Sequence, residues 1–155
     1  EPHPNPGLLD RFVDGVPEIS RVAIKDATHV ACAGCNATAS TLALAPLANR
    51  NLISSVVIDV KAGSSEAGNA ATEGSHHPER SGAVRSYRPT RHRHVAEISQ
   101  SLGDLPVYFS ATSIEMVCGI MAISHIFLNE SNNENENWRL YSEQYENEVI
   151  MHIVK

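Results

Sequence analysis

The run Asn51-Leu-Ile-Ser-Ser-Val-Val-Ile-Asp-Val60 is the strongest constraint on how this chain can fold. Ile53, Val56, Val57, Ile58 and Val60 are stiff at χ1 and pack well on a pleated surface. The run therefore predicts a well-buried strand. With 155 residues, 42% of them hydrophobic, the chain can bury a full-sized core and reads as one domain over 1–155.

The remaining elements follow from local signals. Pro2, Pro4 and Pro6 exclude regular helix or central strand from residues 1–7. Pro17-Glu18 opens a short helix reaching about Asp26. Thr28 to Ala33 reads as a short strand, and the small residues and leucines after Cys35 read as a helix to about Leu44, stopped by Pro46. Lys61 to Gly82 lacks periodicity, and a loop of that length in a compact domain is functional or disordered; its Ser, His and Arg content favours function. Ala83 to Arg88 is a strand candidate. A helix from Arg91 to Leu102 places Val95, Ile98 and Leu102 on one stripe, closed by Gly103. Pro106 to Thr112 and Met116 to Leu128 read as strands, the second also compatible with helix by periodicity. Asn137 to Asn147 is a helix with Trp138, Leu140, Tyr141 and Tyr145 inward, and Glu148 to Val154 an alternating strand. The sum is an α+β fold, a mixed or antiparallel sheet packed by helices.

Several function classes drop out. No stretch approaches about 18 uninterrupted apolar residues, so no membrane helix is expected, and the first residues show no signal peptide. The chain starts at Glu1 without an initiator methionine, which reads as a processed piece or an excised domain. Three cysteines are too few and odd in number for a secreted disulfide scaffold and point to a reducing, cytoplasmic setting. Net charge is −6, yet Arg80, Arg85, Arg88, Arg91 and Arg93 cluster within fourteen residues. One basic patch on an acidic protein suits a local anionic ligand, not general nucleic-acid coating.

Cys35 is the first chemical candidate. It stands between the Thr28–Ala33 segment and the following helix, with Gly34 turning the chain through glycine's freedom at positive φ. The free N–H groups and dipole of the helix's first turn should lower its pKa, as a nucleophile requires. A buried, inert cysteine is the competing reading. Cys32 and Cys35 form a C-x-x-C. A zinc site lacks a second pair, and a thioredoxin-like redox pair is permitted by the context though its middle residues are unusually small. Cys32 is expected in the strand and buried, and Cys118 in the core.

Gly63-Ser64-Ser65 follows the strong strand and could present N–H groups and hydroxyls to an anion, with a plain loop as the alternative. His92-Arg93-His94-Val-Ala-Glu97 opens a predicted helix. His94 and Glu97, at i and i+3, share a face, so the carboxylate can orient an imidazole serving as acid or base, unless these are ordinary surface histidines. His76-His77 could suggest a metal, but neighbours in an extended loop point apart; loop packing or nucleotide contact is as plausible. No metal is expected.

Three stretches together, Ala33-Gly-Cys-Asn-Ala-Thr38, Asp59-Val-Lys-Ala-Gly-Ser-Ser-Glu-Ala-Gly68, and Ser75-His-His-Pro-Glu-Arg-Ser-Gly through His92-Arg-His94 to Glu97, resemble the catalytic domain of N-acetyl-γ-glutamyl-phosphate reductases in the semialdehyde dehydrogenase superfamily. The Ser-His-His-Pro-Glu-Arg-Ser-Gly segment is more similar still to the branch whose substrates ride on an acidic amino-group carrier protein. The resemblance implies a glyceraldehyde-3-phosphate-dehydrogenase-like C-terminal catalytic domain and an NADP-dependent reduction of an acyl phosphate to a semialdehyde in lysine or arginine biosynthesis. Cys35 would form a thioester, His92 and His94 would be acid/base candidates, and Glu97 would orient them. Ser65 would help hold phosphate, with Gly63 and Ser64 near the cofactor, and Arg85, Arg88, Arg91 and Arg93 would form a rim for substrate or carrier. Cys118 stands where the family pattern has an arginine, and Thr112 where it has a histidine. NADP(H) would come through a Rossmann domain that this chain lacks, and the full-length enzyme would be a homo-oligomer. The alternatives are a reductase of free N-acetyl-glutamyl phosphate and a non-catalytic binding module.

Overall fold

The strand at the centre of the chain runs over Ile53–Ala62 and is flanked on both sides. The structure is a computed structural model and describes residues 5–70 and 72–154; residues 1–4, part of the proline-rich start, lie outside them. In chain order the elements are β1 (Val13–Asp14), α1 (Pro17–Asp26), β2 (Val30–Ala31), α2 (Cys35–Ala48), β3 (Ile53–Ala62), α3 (His77–Arg80), β4 (Arg85–Tyr87), α4 (His94–Leu102), β5 (Val107–Ser113), β6 (Ile120–Leu128) and α5 (Glu134–Tyr145). Short 3₁₀ turns cover Pro6–Arg11, Ser64–Ala67 and Glu73–Ser75.

Four strands form the main sheet in the order β4-β5-β3-β6. β3 is parallel to β5, with Ile58 opposite Phe109, and antiparallel to β6, with Ile58 opposite Ser124. The expected α+β architecture with a mixed sheet is what the chain forms. Strand alternation puts Val56, Ile58, Val60 and Ala62 on one face, all fully buried. α2 and α4 cover that face, and α5 packs against α2 from outside. The other face carries Val57, Tyr108, Met121, Ile123 and Phe127, all exposed.

α2 runs through Pro46 to Ala48, past the expected stop. A proline inside a helix costs about 3 kcal/mol, in part because the carbonyl four residues earlier loses its donor. Here that carbonyl is Leu42's, and the Tyr145 hydroxyl donates to it at 2.5 Å, while the Tyr141 hydroxyl donates to the next carbonyl, Ala43, also at 2.5 Å. α5 thus supplies from outside what Pro46 withholds. Burial pushes both phenols up from the usual range. The helix reads poorly as amphipathic because its buried side includes Asn36, Ser40 and Thr41; the Ser40 hydroxyl donates to its own helix at the Asn36 carbonyl, 2.8 Å away.

Several expected boundaries differ. The Thr28–Ala33 strand shrinks to two residues, paired in parallel with β1, because its only partner is equally short. Cys32 lies beyond it and is exposed, not buried. α4 begins at His94, since Pro89 and the left-handed Arg88 (φ 46°) hold residues 88–93 in a loop. β6 begins at Ile120, and Cys118 sits in the preceding turn, exposed rather than in the core. α5 starts earlier, at Glu134, where Asn133 accepts the Glu136 N–H and the Glu136 side chain accepts the Asn133 N–H, a reciprocal cap. The alternating pattern of residues 148–154 forms no strand, and Val149, Ile150 and Val154 stay exposed.

Candidate functional site

Cys35 is the first residue of α2, so its side chain sits at the helix N-terminus as the sequence implies. Gly34 precedes it in extended backbone (φ −65°, ψ 151°), not at positive φ. Its glycine identity is required by packing. A Cβ there would lie 2.1 Å from His94 Nε2, so the bare Cα gives the imidazole its place. The Gly34 N–H donates to Glu97 Oε2 at 2.7 Å, and Glu97 Oε1 stands 4.0 Å from His94 Nε2. The i, i+3 pairing of His94 and Glu97 is therefore real, but the carboxylate's hydrogen bond goes to the turn that carries Cys35.

A cleft of about 210 Å³ opens in front of Cys35 and is lined by Glu66, Tyr87, Arg88, His92, Arg93 and His94. The 3₁₀ turn Ser64–Ala67 delivers Glu66 to it. Glu66 Oε2 is 3.7 Å from the Cys35 sulfur, within reach of a weak S–H donor. The Tyr87 hydroxyl donates to Glu66 Oε1 at 3.0 Å, and Asn36 Nδ2 donates to the Tyr87 oxygen at 3.4 Å. Arg88, at the mouth, holds its positive φ without being glycine, a strain of about 1–3 kcal/mol of the kind found at functional clefts.

These neighbours overturn the expected fall in the Cys35 pKa. Partial burial and the negative charge of Glu66 push the thiol up, and the helix N–H groups pull the other way without prevailing. The N-terminal effect is present; burial of the thiol and the Glu66 carboxylate together outweigh it. Tyr87 is likewise pushed up, to about 12, chiefly by burial. His92 and His94 both lie below the ordinary imidazole value, burial being the main cause in each, and are neutral near pH 7. The ring of His94 is buried and neither nitrogen has a hydrogen-bond partner among the described residues. The His92 ring lies 4.5 Å from it and 4.9 Å from the Phe109 ring.

A pH dependence follows. The folded state holds His92 and His94 below their unfolded value of 6.5, so the unfolded chain binds more protons as pH drops through that value. Their contribution to stability is complete above it and is lost progressively below it. Urea midpoints measured at about pH 7.5 and about pH 5 should fall with acidification, and the fall should shrink in His94→Gln.

The structure separates the other expected site residues. Arg88 and Arg93 reach the cleft with His92 and His94. Arg91 faces a larger apolar hollow of about 750 Å³ under residues 89–93, which shares His92 and Arg93 with the cleft. Arg85 lines a small separate cavity with Arg80. Arg80 is buried and donates to the Gly74 and Ala62 carbonyls, so it holds the loop together. Gly63, Ser64 and Ser65 do not present free N–H groups: they donate to the carbonyls of Gly119, Met116 and Val117. The anion-cradling reading of that backbone is replaced by a tie between two turns. Ser65 remains exposed, and Ser64 Oγ lies 3.3 Å from His77 Nδ1. Among the described residues no three His, Cys, Asp or Glu side chains converge to hold a metal. Glu66, Tyr87 and Asn36 were missed in the sequence. Glu66 follows Ser65 directly, and its charge in an otherwise uncharged Gly/Ser/Ala turn was the available signal.

Comparison with known proteins places the chain in a family. Residues 35–155 match the family described as semialdehyde dehydrogenase, dimerisation domain. A Deinococcus radiodurans LysW-L-2-aminoadipate 6-phosphate reductase is 40% identical over 158 residues, covering 100% of this chain and 45% of that protein. A Thermomicrobium roseum protein assigned the same reductase name is 42% identical, covering 99% of this chain and 46% of its own length. A Haloarcula marismortui protein assigned as a LysW-L-2-aminoadipate/LysW-L-glutamate phosphate reductase is 41% identical over 98% of this chain and 45% of its own length. The chain thus spans about half the length of the curated relatives it matches. With the matched region opening at Cys35 and containing the mixed sheet, the chain belongs to the semialdehyde dehydrogenase dimerisation-domain family.

Proposed function

We propose that this chain is the catalytic part of a reductase that converts an acyl phosphate to a semialdehyde through a thioester on Cys35. The observation that carries the reading is Cys35 itself, at the N-terminus of α2 in a cleft that also holds two neutral imidazoles and two arginines. Sulfur adds to the acyl carbon, the bond to the phosphate oxygen breaks, and phosphate leaves toward Arg88 and Arg93, whose guanidinium groups match its charge. The α2 N–H groups face charge developing on the acyl oxygen. His92 or His94, neutral at rest, can give and take a proton at that oxygen, and Glu97 holds His94 and the Gly34 turn in register.

The cofactor of this reading is NADP(H), which supplies hydride when bound. The described residues form no dinucleotide cradle: the Gly63–Ser65 N–H groups are consumed by carbonyls, and no Gly-rich strand-to-helix turn is present among them. Acyl transfer is the step that these residues can themselves carry.

The substrate in this reading is L-2-aminoadipate 6-phosphate or L-glutamate 5-phosphate carried on an acidic carrier protein, as the relatives' names support. Arg88, Arg91 and Arg93 offer the carrier a basic rim. The exposed apolar face of the sheet, Val57, Tyr108, Met121, Ile123 and Phe127, is the surface for a second copy, in keeping with the family's description as a dimerisation domain. No helix among the described residues is long and apolar enough to cross a membrane, and a cytoplasmic setting is part of this reading.

The half-reaction can be tested on the chain alone. Incubation with acetyl phosphate should place one hydroxylamine-sensitive acetyl group on Cys35, read by peptide mass spectrometry. Equal labelling of Cys32 or Cys118, or none at Cys35, would sink the proposal.

A further inference from the structure

A thiol nucleophile must give up its proton as it attacks. The usual acceptors would be His92 and His94, yet neither makes a hydrogen bond to the Cys35 sulfur. The acceptors within reach of the thiol are Asn36 Oδ1 at 3.8 Å and Glu66 Oε2 at 3.7 Å. Of the two only the carboxylate can take a proton. Glu66 is also held: Tyr87 donates to its other oxygen at 3.0 Å, and Asn36 donates in turn to Tyr87. The groups facing the sulfur across the cleft are Glu66, Tyr87, Arg88, His92, Arg93 and His94.

We propose that Glu66 is a further catalytic residue of this site, the general base that takes the Cys35 proton during acyl transfer, with Tyr87 as its positioning residue. The proposal rests on the Cys35 reading and deepens it. As the S–C bond forms, the S–H bond breaks and its proton passes to Glu66 Oε2. The electron pair of the acyl C–O bond leaves with phosphate. The carboxylic acid that results returns its proton to the departing phosphate or to water, and the carboxylate is restored. No oxidant or reductant enters this step.

Burial first, and the same carboxylate second, keep the resting sulfur a thiol. A second negative charge beside Glu66 is opposed, and the raised Cys35 value reflects this together with burial. Proton transfer in concert with attack removes the opposition, because the carboxylate is neutralised at the moment the sulfur bonds to carbon. The resting site is thereby shielded from alkylation and oxidation, which require thiolate.

Glu66→Gln separates the two roles of the carboxylate. Loss of its charge lets the thiolate form more readily, so alkylation of Cys35 by iodoacetamide at neutral pH should speed up by up to about tenfold for each unit by which the thiol pKa falls. Loss of the base should slow acetylation of Cys35 by acetyl phosphate by about 10²-fold. Glu66→Asp, which keeps the charge but withdraws it from the sulfur, should give the same opposed pair at smaller amplitude. Both rates rising would make Glu66 an electrostatic brake only, and both falling or neither changing would deny the contact; each outcome overturns the proposal. Failure of the parent chain to acetylate at Cys35 is a different result: it removes the nucleophile reading first, and this proposal with it.

Discussion

Replacing Cys35 by serine is expected to abolish thioester formation while leaving the fold untouched. A serine hydroxyl is a far weaker acid and nucleophile than a thiol even with a carboxylate and imidazoles beside it, and an oxygen ester would not exchange as a thioester does. Acetylation by acetyl phosphate should fall by at least about 10³-fold, to the background of the other cysteines. Stability should stay within about 0.5 kcal/mol, because Cys35 is exposed and its side-chain contacts, to Asn36 and Glu66, are long. The two readouts, peptide mass after acyl-phosphate treatment and the urea midpoint, must separate. A large loss of stability would mean that Cys35 is a packing residue, and unchanged acylation would mean that another group is the nucleophile.

Gly34→Ala should strike both readouts at once. The backbone at Gly34 is extended, so alanine carries no conformational penalty there. The obstacle is steric: the new Cβ would sit 2.1 Å from Nε2 and 2.7 Å from Cδ2 of His94. His94 is only 3% exposed and cannot retreat to solvent. Either the imidazole or the turn must shift, at a cost of about 1–3 kcal/mol typical of overpacking. A shifted turn also strains the Gly34–Glu97 bond that anchors the start of α2, so acylation of Cys35 should fall together with the denaturation midpoint. Gly74→Ala is the control, since a Cβ there meets nothing within 4 Å. If Gly34→Ala matches that control in both measurements, His94 does not pack on the nucleophile turn.

Much of the architecture is written in local sequence. The β-branched run around Val56 and Ile58 becomes the central strand because its alternation suits a surface buried on one face. Pro17, the Val95–Ile98–Leu102 stripe and Gly103 mark α1 and α4 for the same local reasons. Cys35 at a strand-to-helix turn and the His94–Glu97 spacing were legible because helical periodicity places i and i+3 together whatever the rest of the chain does. Elements whose form depends on a distant partner were not legible. Pro46 stops a helix unless a hydroxyl reaches the orphaned Leu42 carbonyl, and Tyr145, 103 residues away, supplies it. The 148–154 alternation pairs with no strand among the described residues, although β4 and β6 are the outer strands of the sheet.

The sequence by itself determined an α+β fold, a cysteine at the head of a helix and a histidine–glutamate pair on one helical face, since each rests on local patterning, while the mixed pairing of the sheet came from the structure. Only the tertiary structure decided the chemistry at that cysteine. The carboxylate that meets the sulfur comes from a turn 31 residues downstream and the hydroxyl that holds it from a strand farther on. Electrostatic influence follows distance in space and not along the chain. Hence a thiol whose helix N–H groups favour the thiolate is pushed the other way by burial and by Glu66.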